Sequence, residues 1–371
     1  MTIAKPLFKK VVIIGVGVIG GSLGMALISR KLAERVIGVD VDRGNLQLAI
    51  EANAVHEGMT KLDEAVPGAN LVVIATPVGT TLDIIKNVGQ LTAQGCIVSD
   101  VGSTKGKIVY EAEKLLPQGI HFIGGHPMTG SELAGVRGAD TYLFENAVYV
   151  LTPTENTDKD SIDKFRVMIE AIGAKIIERD PDEHDLMVAA VSHLPHLAAT
   201  SLVNTVGEIE KEHEGLLMLA AGGFRDTTRI ASGHPLMWRD ICITNKDNIL
   251  KVLDRYMAAL ADVRALIENC DDAGLKNDFE QARELRNNIP SRMRGYLPLV
   301  HEIIVTVPDK PGVIGNLAGI LGSRDININD IEILRVREGE GGTIRIALGS
   351  PKQQEDAIGL LRENGITAKK R

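Results

Sequence analysis

The chain has 371 residues, of which 41 are Lys or Arg and 49 are Asp or Glu, giving a formal net charge of −8 at pH 7. An acidic chain with only six Phe, five Tyr and one Trp lacks the basic face and the stacking surfaces that nucleic-acid binding needs, so we exclude nucleic acid as a partner. The length predicts two or three domains.

The cysteines and the one long apolar run bear on the cellular compartment. Cys96, Cys242 and Cys270 are odd in number and far apart, which is typical neither of a disulfide framework nor of a zinc site. Residues 11–28 are uncharged, but five glycines interrupt the run and a charged pair follows at 30–31, so we predict neither a signal peptide nor a membrane anchor. We therefore expect a cytoplasmic protein that binds no membrane.

The first part of the chain, residues 1–180, alternates short apolar runs with amphipathic segments. Continuous apolar strands separated by helices indicate a parallel sheet covered on both faces, which is the doubly wound α/β plan of a Rossmann domain. The predicted strands lie at 10–14, 36–40, 71–75, 96–100, 147–151 and 175–178, and a helix is predicted at about 159–172.

Two further domains follow. Residues 181–295 are rich in Ala, Leu and Met at helical spacing and predict an all-α domain, with loops at Gly222-Gly223 and at 233–235. Residues 300–371 predict the order βαββαβ of a ferredoxin-like α+β unit. Its strands are expected at 302–307, 326–336, 342–348 and from 365, and its helices at 312–323 and 352–363.

A glycine-rich loop after the first strand predicts a dinucleotide site. In the pattern GxGxxG, Gly15 permits a tight turn, Gly17 lets the backbone approach a pyrophosphate, and Gly20 lets the following helix pack on the sheet. The amino-terminal end of that helix then faces the phosphates.

Three more residues belong to the predicted cofactor site. Asp40 ends the second strand, where a carboxylate accepts hydrogen bonds from ribose hydroxyls and repels a 2′-phosphate, which favours NAD over NADP. Arg43 keeps NADP open as the alternative. Thr76 and Pro77, at the end of the strand at 71–75, are expected to line the same crevice.

Polar segments follow further predicted strands. Ser103 is a candidate for orienting a substrate or the nicotinamide carboxamide, and the alternative is that it caps the next helix. His126 lies in a predicted glycine-rich turn at 124–132 and is a candidate base, because the pKa of histidine lies near the working pH of most enzymes.

The helical domain carries two pairs of candidate side chains. His193 and His196 share a helix face, but their spacing lacks a zinc motif and no cysteine is near, so we predict no metal. Arg225 and Arg229 are four residues apart, and two guanidinium groups suit a substrate that bears carboxylates. Buried interfacial histidines and a solvated arginine face are the alternative interpretations.

Taken together, these segments closely resemble those of bacterial prephenate dehydrogenases that carry a C-terminal ACT domain, and the resemblance covers essentially the whole chain. It rests on motifs that stand in the expected order: GVGVIGGSLG at 15–24, SDVGSTKG at 99–106, GGHPMTGSE at 124–132, SHLPH at 192–196, GGFRDTTRIA at 222–231 and VPDKPG at 307–312.

The resemblance implies the NAD-dependent oxidative decarboxylation of prephenate to 4-hydroxyphenylpyruvate in tyrosine biosynthesis. It implies that His126 assists deprotonation of the ring hydroxyl and that Ser103 positions that hydroxyl and the histidine. The residues expected to bind or gate the substrate are Arg229, His196, Glu132, His184 and Arg225.

The resemblance also implies partners. The helical domain is similar to those that interlock two subunits, so we expect a homodimer. The ACT unit is similar to modules that bind an amino acid, which implies tyrosine as a feedback ligand with Asp309, Gly312 and Asn327 as candidate contacts.

Two alternatives stay open at this point. Within the enzyme class, the substrate is arogenate, or both compounds are substrates. Outside it, the chain is a nonenzymatic sensor of NAD and an amino acid, an interpretation that leaves His126 and the arginine pair without a role.

Overall fold

A computed structural model of the chain describes residues 5–130, 135–288, 301–308, 310–336 and 342–370. It divides into two compact units, Met1–Gly295 and Tyr296–Arg371, which we treat separately. Two candidate residues, Glu132 and Asp309, lie outside the described residues.

The first unit is built on an eight-stranded sheet with the order β3-β2-β1-β4-β5-β6-β7-β8. All neighbouring strands are parallel except β6 and β7, which are antiparallel. The strands are β1 (Phe8–Ile14), β2 (Ala33–Val39), β3 (Glu57–Met59), β4 (Leu71–Ile74), β5 (Ile97–Asp100), β6 (His121–Pro127), β7 (Val148–Thr152) and β8 (Lys175–Glu178).

Helices cover both faces of this sheet. Alternate residues of β1 enter opposite cores: Val11 and Ile13 belong to one buried cluster, whereas Val12 and Ile14 belong to the other. This division is what continuous apolar strands predict for a sheet covered on two sides. The helices are α1 (Val18–Ser29), α2 (Arg43–Glu51), α3 (Leu62–Ala65), α4 (Thr81–Leu91), α5 (Gly106–Leu115) and α6 (Lys159–Ala171).

The rest of the first unit is helical. Its helices are α7 (Pro181–Val188), α8 (Leu194–Glu212), α9 (Gly222–Thr228), α10 (Pro235–Thr244), α11 (Lys246–Glu268) and α12 (Asp272–Asn288). One π-helical turn, Ala189–His193, joins α7 to α8. Pro195 follows that turn; it has no N–H to donate and its ring excludes the carbonyl one turn back, which disfavours regular α-helical bonding at this point.

The helical run Pro181–Glu212 passes a length-and-composition test for a membrane span, and only 28% of its most apolar window is buried. The same run carries buried polar side chains, namely His184, Asp185, His193 and His196.

The second unit has an antiparallel sheet with the order β10-β11-β9-β12 and two helices. Its core is formed by Ile303, Val305, Leu317, Ile346 and Leu361, among others. The elements are β9 (His301–Val307), α13 (Val313–Gly322), β10 (Asp330–Val336), β11 (Gly342–Leu348), α14 (Pro351–Glu363) and β12 (Thr367–Lys370), so the expected βαββαβ order is confirmed.

Some predictions were wrong in detail. The segment 121–127 is the inner strand β6, not a glycine-rich turn: a Cβ at Gly124 would lie 2.3 Å from Oγ1 of Thr152, and one at Gly125 2.8 Å from the carbonyl oxygen of Asp100. These glycines therefore allow close packing inside the sheet. The sheet is not wholly parallel, since β7 reverses direction, and Gly222-Gly223 begins α9 and is not a loop.

Candidate active site

The glycine-rich loop fits a bound dinucleotide. Gly15 has φ +91°, and a Cβ there would lie 2.6 Å from the carbonyl oxygen of Ala75. A Cβ at Gly20 would lie 2.0 Å from the carbonyl oxygen of Gly15, so the fold itself requires both glycines. At Gly17, by contrast, a Cβ would meet no described atom within 4 Å, which leaves open space at the start of α1 for a pyrophosphate.

Asp40 shapes this loop as well as facing the crevice. Its Oδ2 accepts hydrogen bonds from the N–H of Val16 at 3.1 Å and from Nδ2 of Asn45 at 3.0 Å, and its Oδ1 accepts one from the N–H of Asp42 at 3.0 Å. A carboxylate offers about four acceptor positions, so one remains for a ribose hydroxyl. Arg43 is exposed at the start of α2.

Thr76 and Pro77 lie where the sheet changes direction. They follow β4, and β1 has β2 on one side and β4 on the other, so the crevice beyond these strand ends is the topological switch point. Oγ1 of Thr80 donates to Oγ1 of Thr76 at 3.0 Å, and Pro77 is exposed.

A buried ion pair holds the Ser103 loop against β6. Nζ of Lys105 donates to Oδ2 of Asp100, and both side chains are fully buried. The same carboxylate accepts the N–H of Gly102 at 3.0 Å and the N–H of Gly125 at 3.3 Å. Ser103 itself is half-buried and does not cap α5, whose cap position is Lys105.

His126 lies on β6 and is buried against His184 of α7. Nδ1 of His126 is 2.9 Å from Nε2 of His184, and Nδ1 of His184 is 2.9 Å from Oδ1 of Asp185. Burial, followed by the nearby His184, Lys105 and His193, holds the pKa of His126 well below its usual value. The ring is therefore neutral at pH 7, as a general base must be.

His126, His184 and Asp185 form a buried cluster with two more buried histidines, His193 and His196. His193 is buried, and burial is the main reason that its pKa is lowered to about 4. The ring of His196 stacks on Trp238 with centroids 3.5 Å apart, and the ring of His193 contacts Trp238 edge to face at 6.1 Å. Nδ2 of Asn245 lies 3.3 Å from Nδ1 of His193 and donates to the carbonyl oxygen of Asp185 at 2.7 Å.

The structure thus brings some candidate residues together and leaves others apart. His126, His184 and His196 belong to the buried cluster, whereas Arg225 and Arg229 are exposed on α9 and the turn after it. In the second unit, Gly312 (φ +87°) and Asn327 are exposed. Two site residues that sequence reasoning did not single out are Asp185 and Asn245. No group of three or more His, Cys, Asp or Glu side chains within the described ranges is arranged to hold a metal ion.

The candidate cofactor and base residues of the first unit gather at one edge of its sheet. The glycine loop, Thr76, the Ser103 loop and His126 follow, or stand at, the carboxyl ends of the parallel strands β1, β4, β5 and β6. A Rossmann sheet with a pyrophosphate cradle and a buried neutral base at that edge defines an NAD-dependent oxidoreductase.

Comparison with known proteins identifies the family. Family models match as the prephenate dehydrogenase nucleotide-binding domain over residues 23–178, the prephenate dehydrogenase dimerization domain over 180–281 and the ACT domain over 301–365. The chain is 36% identical to the prephenate dehydrogenase of Bacillus subtilis over 94% of each chain, and 32% identical to that of Lactococcus lactis over 96% of this chain and 98% of that one. The chain belongs to the prephenate dehydrogenase family.

Solved structures agree with this assignment. The structure of Aquifex aeolicus prephenate dehydrogenase in complex with hydroxyphenyl propionate and NAD+ has a TM-score of 0.72 and 32% identity, covering 76% of this chain and 98% of that one. The arogenate dehydrogenase of Synechocystis has a TM-score of 0.65 and 32% identity, covering 76% of this chain and all of that one (100%).

Proposed function

We propose that this enzyme catalyses the NAD-dependent oxidative decarboxylation of prephenate to 4-hydroxyphenylpyruvate, with release of CO2, in the biosynthesis of L-tyrosine. The observation that carries the proposal is the buried His126, in contact with His184, at the sheet edge that holds the nucleotide loop. The curated relatives named prephenate dehydrogenase support the same substrate.

The residues supply the base that this reaction needs. The glycine loop of Gly15, Gly17 and Gly20 would hold NAD+, which would supply the acceptor for the hydride that leaves the carbinol carbon of the substrate. His126 takes the hydroxyl proton as that carbon becomes a carbonyl. When CO2 leaves, the electron pair of the broken C–C bond enters the ring, which becomes aromatic, and the ring oxygen takes the proton back. The substrate therefore loses one hydride and one CO2, and no net proton.

Other candidate residues take their proposed roles around this step. Ser103 positions the ring hydroxyl beside His126. Prephenate carries two carboxylates, and Arg229, with Arg225 near it, supplies the matching positive charge. His196 lines the substrate side of the cluster, and Glu132 is proposed as a gating residue.

Arogenate, which has an amino group where prephenate has its side-chain keto group, is the second candidate substrate. The Synechocystis arogenate dehydrogenase and the cyclohexadienyl dehydrogenase of Zymomonas mobilis, which is 30% identical over 75% of this chain and 95% of that one, support it. Initial rates of NADH formation with each substrate decide between them. Turnover of prephenate is expected, and turnover of arogenate alone would contradict the proposal.

We also propose that tyrosine inhibits the enzyme through the ACT unit, with Asp309, Gly312 and Asn327 near the ligand. Truncation after residue 300 is expected to keep turnover and to abolish or blunt inhibition by tyrosine. Inhibition that survives truncation would place the effector site in the first unit.

A cytoplasmic homodimer is the proposed assembly. Several apolar side chains of the helical part of the first unit are exposed to solvent, among them Val191 (71% exposed), Met218 (89%) and Leu219 (79%). A second subunit covers such a surface, which the match to a dimerization domain supports, whereas a membrane would have to accommodate buried histidines and Asp185 within the same helical run. Sedimentation at twice the chain mass is expected, and a monomer at micromolar concentration would contradict this assembly.

A further inference from the structure

We propose that Asp185 is a positioning residue that acts through His184 to fix which nitrogen of His126 is the base. This inference rests on the proposed function for its catalytic meaning, but the arrangement itself is a property of the folded chain. It is carried by a row of five groups: two backbone N–H groups, a carboxylate and two imidazole rings.

Both oxygens of the Asp185 carboxylate accept hydrogen bonds from backbone N–H groups. Its Oδ1 accepts the N–H of Lys105 at 2.6 Å, and its Oδ2 accepts the N–H of Gly106 at 2.8 Å. These are donors at the amino-terminal end of α5, where the helix dipole stabilises negative charge. The side chain is 5% exposed, so water does not compete for these hydrogen bonds.

An ionised carboxylate only accepts hydrogen bonds, and this sets the tautomer of His184. Because Nδ1 of His184 lies 2.9 Å from Oδ1 of Asp185, that nitrogen carries the proton. In a neutral ring the other nitrogen, Nε2, is then an acceptor.

The tautomer of His184 in turn sets the tautomer of His126. Nε2 of His184 lies 2.9 Å from Nδ1 of His126, so Nδ1 of His126 must carry the hydrogen that this contact needs. The opposite tautomer would place two lone pairs against each other. Nε2 of His126 is therefore left unprotonated, and it is the atom that can take a proton from the substrate.

The same row of groups also stabilises the positive charge that His126 gains when it takes the proton of the substrate. When Nε2 of His126 gains the substrate proton, the Nδ1 proton can shift to Nε2 of His184, and the positive charge then lies beside the Asp185 carboxylate. The charged and titratable groups that face His126 are Lys105, His184 and His193, which all disfavour its protonated form. Asp185 is the anion that offsets them through His184.

The test begins with Asp185→Asn. The amide oxygen can still accept an N–H from the start of α5, but its NH2 group donates to Nδ1 of His184. That reverses both tautomers and puts a hydrogen on Nε2 of His126. We expect kcat to fall at least a hundredfold with KM for prephenate changed less than threefold, by analogy with the Asp-to-Asn change in the Ser-His-Asp triad, which lowers kcat by about 10⁴.

Asp158→Asn is the matched control. Asp158 accepts the N–H of Ser161 at 2.9 Å at the start of α6 and contacts no histidine of the cluster in the described residues. It makes the same chemical change at a helix start, and kcat is expected to stay within twofold of the parent.

A double-mutant cycle separates positioning from a merely structural role. In His184→Gln the amide oxygen can accept the Nδ1 hydrogen of His126 without Asp185. Adding Asp185→Asn to His184→Gln should then lower kcat less than fivefold. A loss of a hundredfold or more in both backgrounds would mean that Asp185 acts by holding α5, and it would overturn the proposal.

Nitrogen-15 NMR of histidine-labelled full-length protein tests the arrangement without turnover. His126, assigned by loss of its signals in His126→Gln, is expected to show a protonated Nδ1 and an unprotonated Nε2 at pH 7.5, and the pattern should reverse in Asp185→Asn. A protonated Nε2 in the parent protein would overturn the inference whatever the substrate proves to be. The expected pattern in a protein that does not oxidise prephenate would uphold the inference and refute the proposed function.

Discussion

Replacing Lys105 with Met should destabilise the first unit strongly. Lys105 and Asp100 are both fully buried, and the ammonium group is the only cationic partner of the carboxylate in the described structure. Without it, Asp100 keeps the N–H groups of Gly102 and Gly125, but no positive charge compensates its own. Breaking a buried pair by removing one partner costs about 3–5 kcal/mol.

Urea denaturation measures this loss directly. The chain has a single tryptophan, Trp238, which lies in the first unit, so its fluorescence reports on the unit that contains the ion pair. With a slope of about 3 kcal/mol per molar urea, the unfolding midpoint should fall by about 1–2 M.

A second variant tests whether the uncompensated charge of Asp100 causes the loss of stability. Lys105→Met combined with Asp100→Asn removes the uncompensated charge and should recover most of the lost stability. A loss below about 1 kcal/mol in Lys105→Met, or no recovery in the double variant, would refute the reasoning that the buried charge dominates.

Three further predictions concern the site. Burial lowers the pKa of His126, and only the neutral ring can accept a proton. The value of kcat/KM for prephenate should therefore stay constant as the pH falls to 6.5 and decline only below it. A decline on the acid side that already begins above pH 7 would contradict this. Gly17→Ala should keep the thermal stability of the parent but weaken NAD binding, as measured by fluorescence titration. Gly20→Ala should lower the melting temperature, because its Cβ would lie 2.0 Å from the carbonyl oxygen of Gly15. Equal melting temperatures of the two variants would refute the distinction. Arg229→Ala should raise KM for prephenate about tenfold or more with a smaller change in kcat, and an unchanged KM would remove Arg229 from the substrate site.

Local sequence was enough to predict the parts of the fold that depend on neighbouring residues. The glycine loop, the strand before it and Asp40 form one βαβ unit, in which spacing along the chain is also spacing in the structure. The second unit was predictable for the same reason, since each of its elements is short and ends at a turn signal.

The rest depends on packing between distant segments. β6 has two glycines and a proline, which indicate a turn, and only its neighbours β5 and β7 make it a strand. The hydrogen bonds from Lys105 and Gly106 to Asp185 span about 80 residues and join α5 to α7. No periodicity in the chain records that contact, so the motif analysis could find His126 but not the carboxylate behind it.

The π-helical turn at 189–193 has a geometric consequence for the histidines. Each residue of an α-helix turns the chain by about 100°, so in an uninterrupted helix His193 and His196 would point about 180° and 120° away from His184. A π turn adds one residue to the helix, which takes about 100° from each angle and leaves about 80° and 20°. One extra residue therefore turns three histidines of a single helical run toward a common side. Insertion or deletion of a single codon in this turn would therefore change the common orientation of these three histidines.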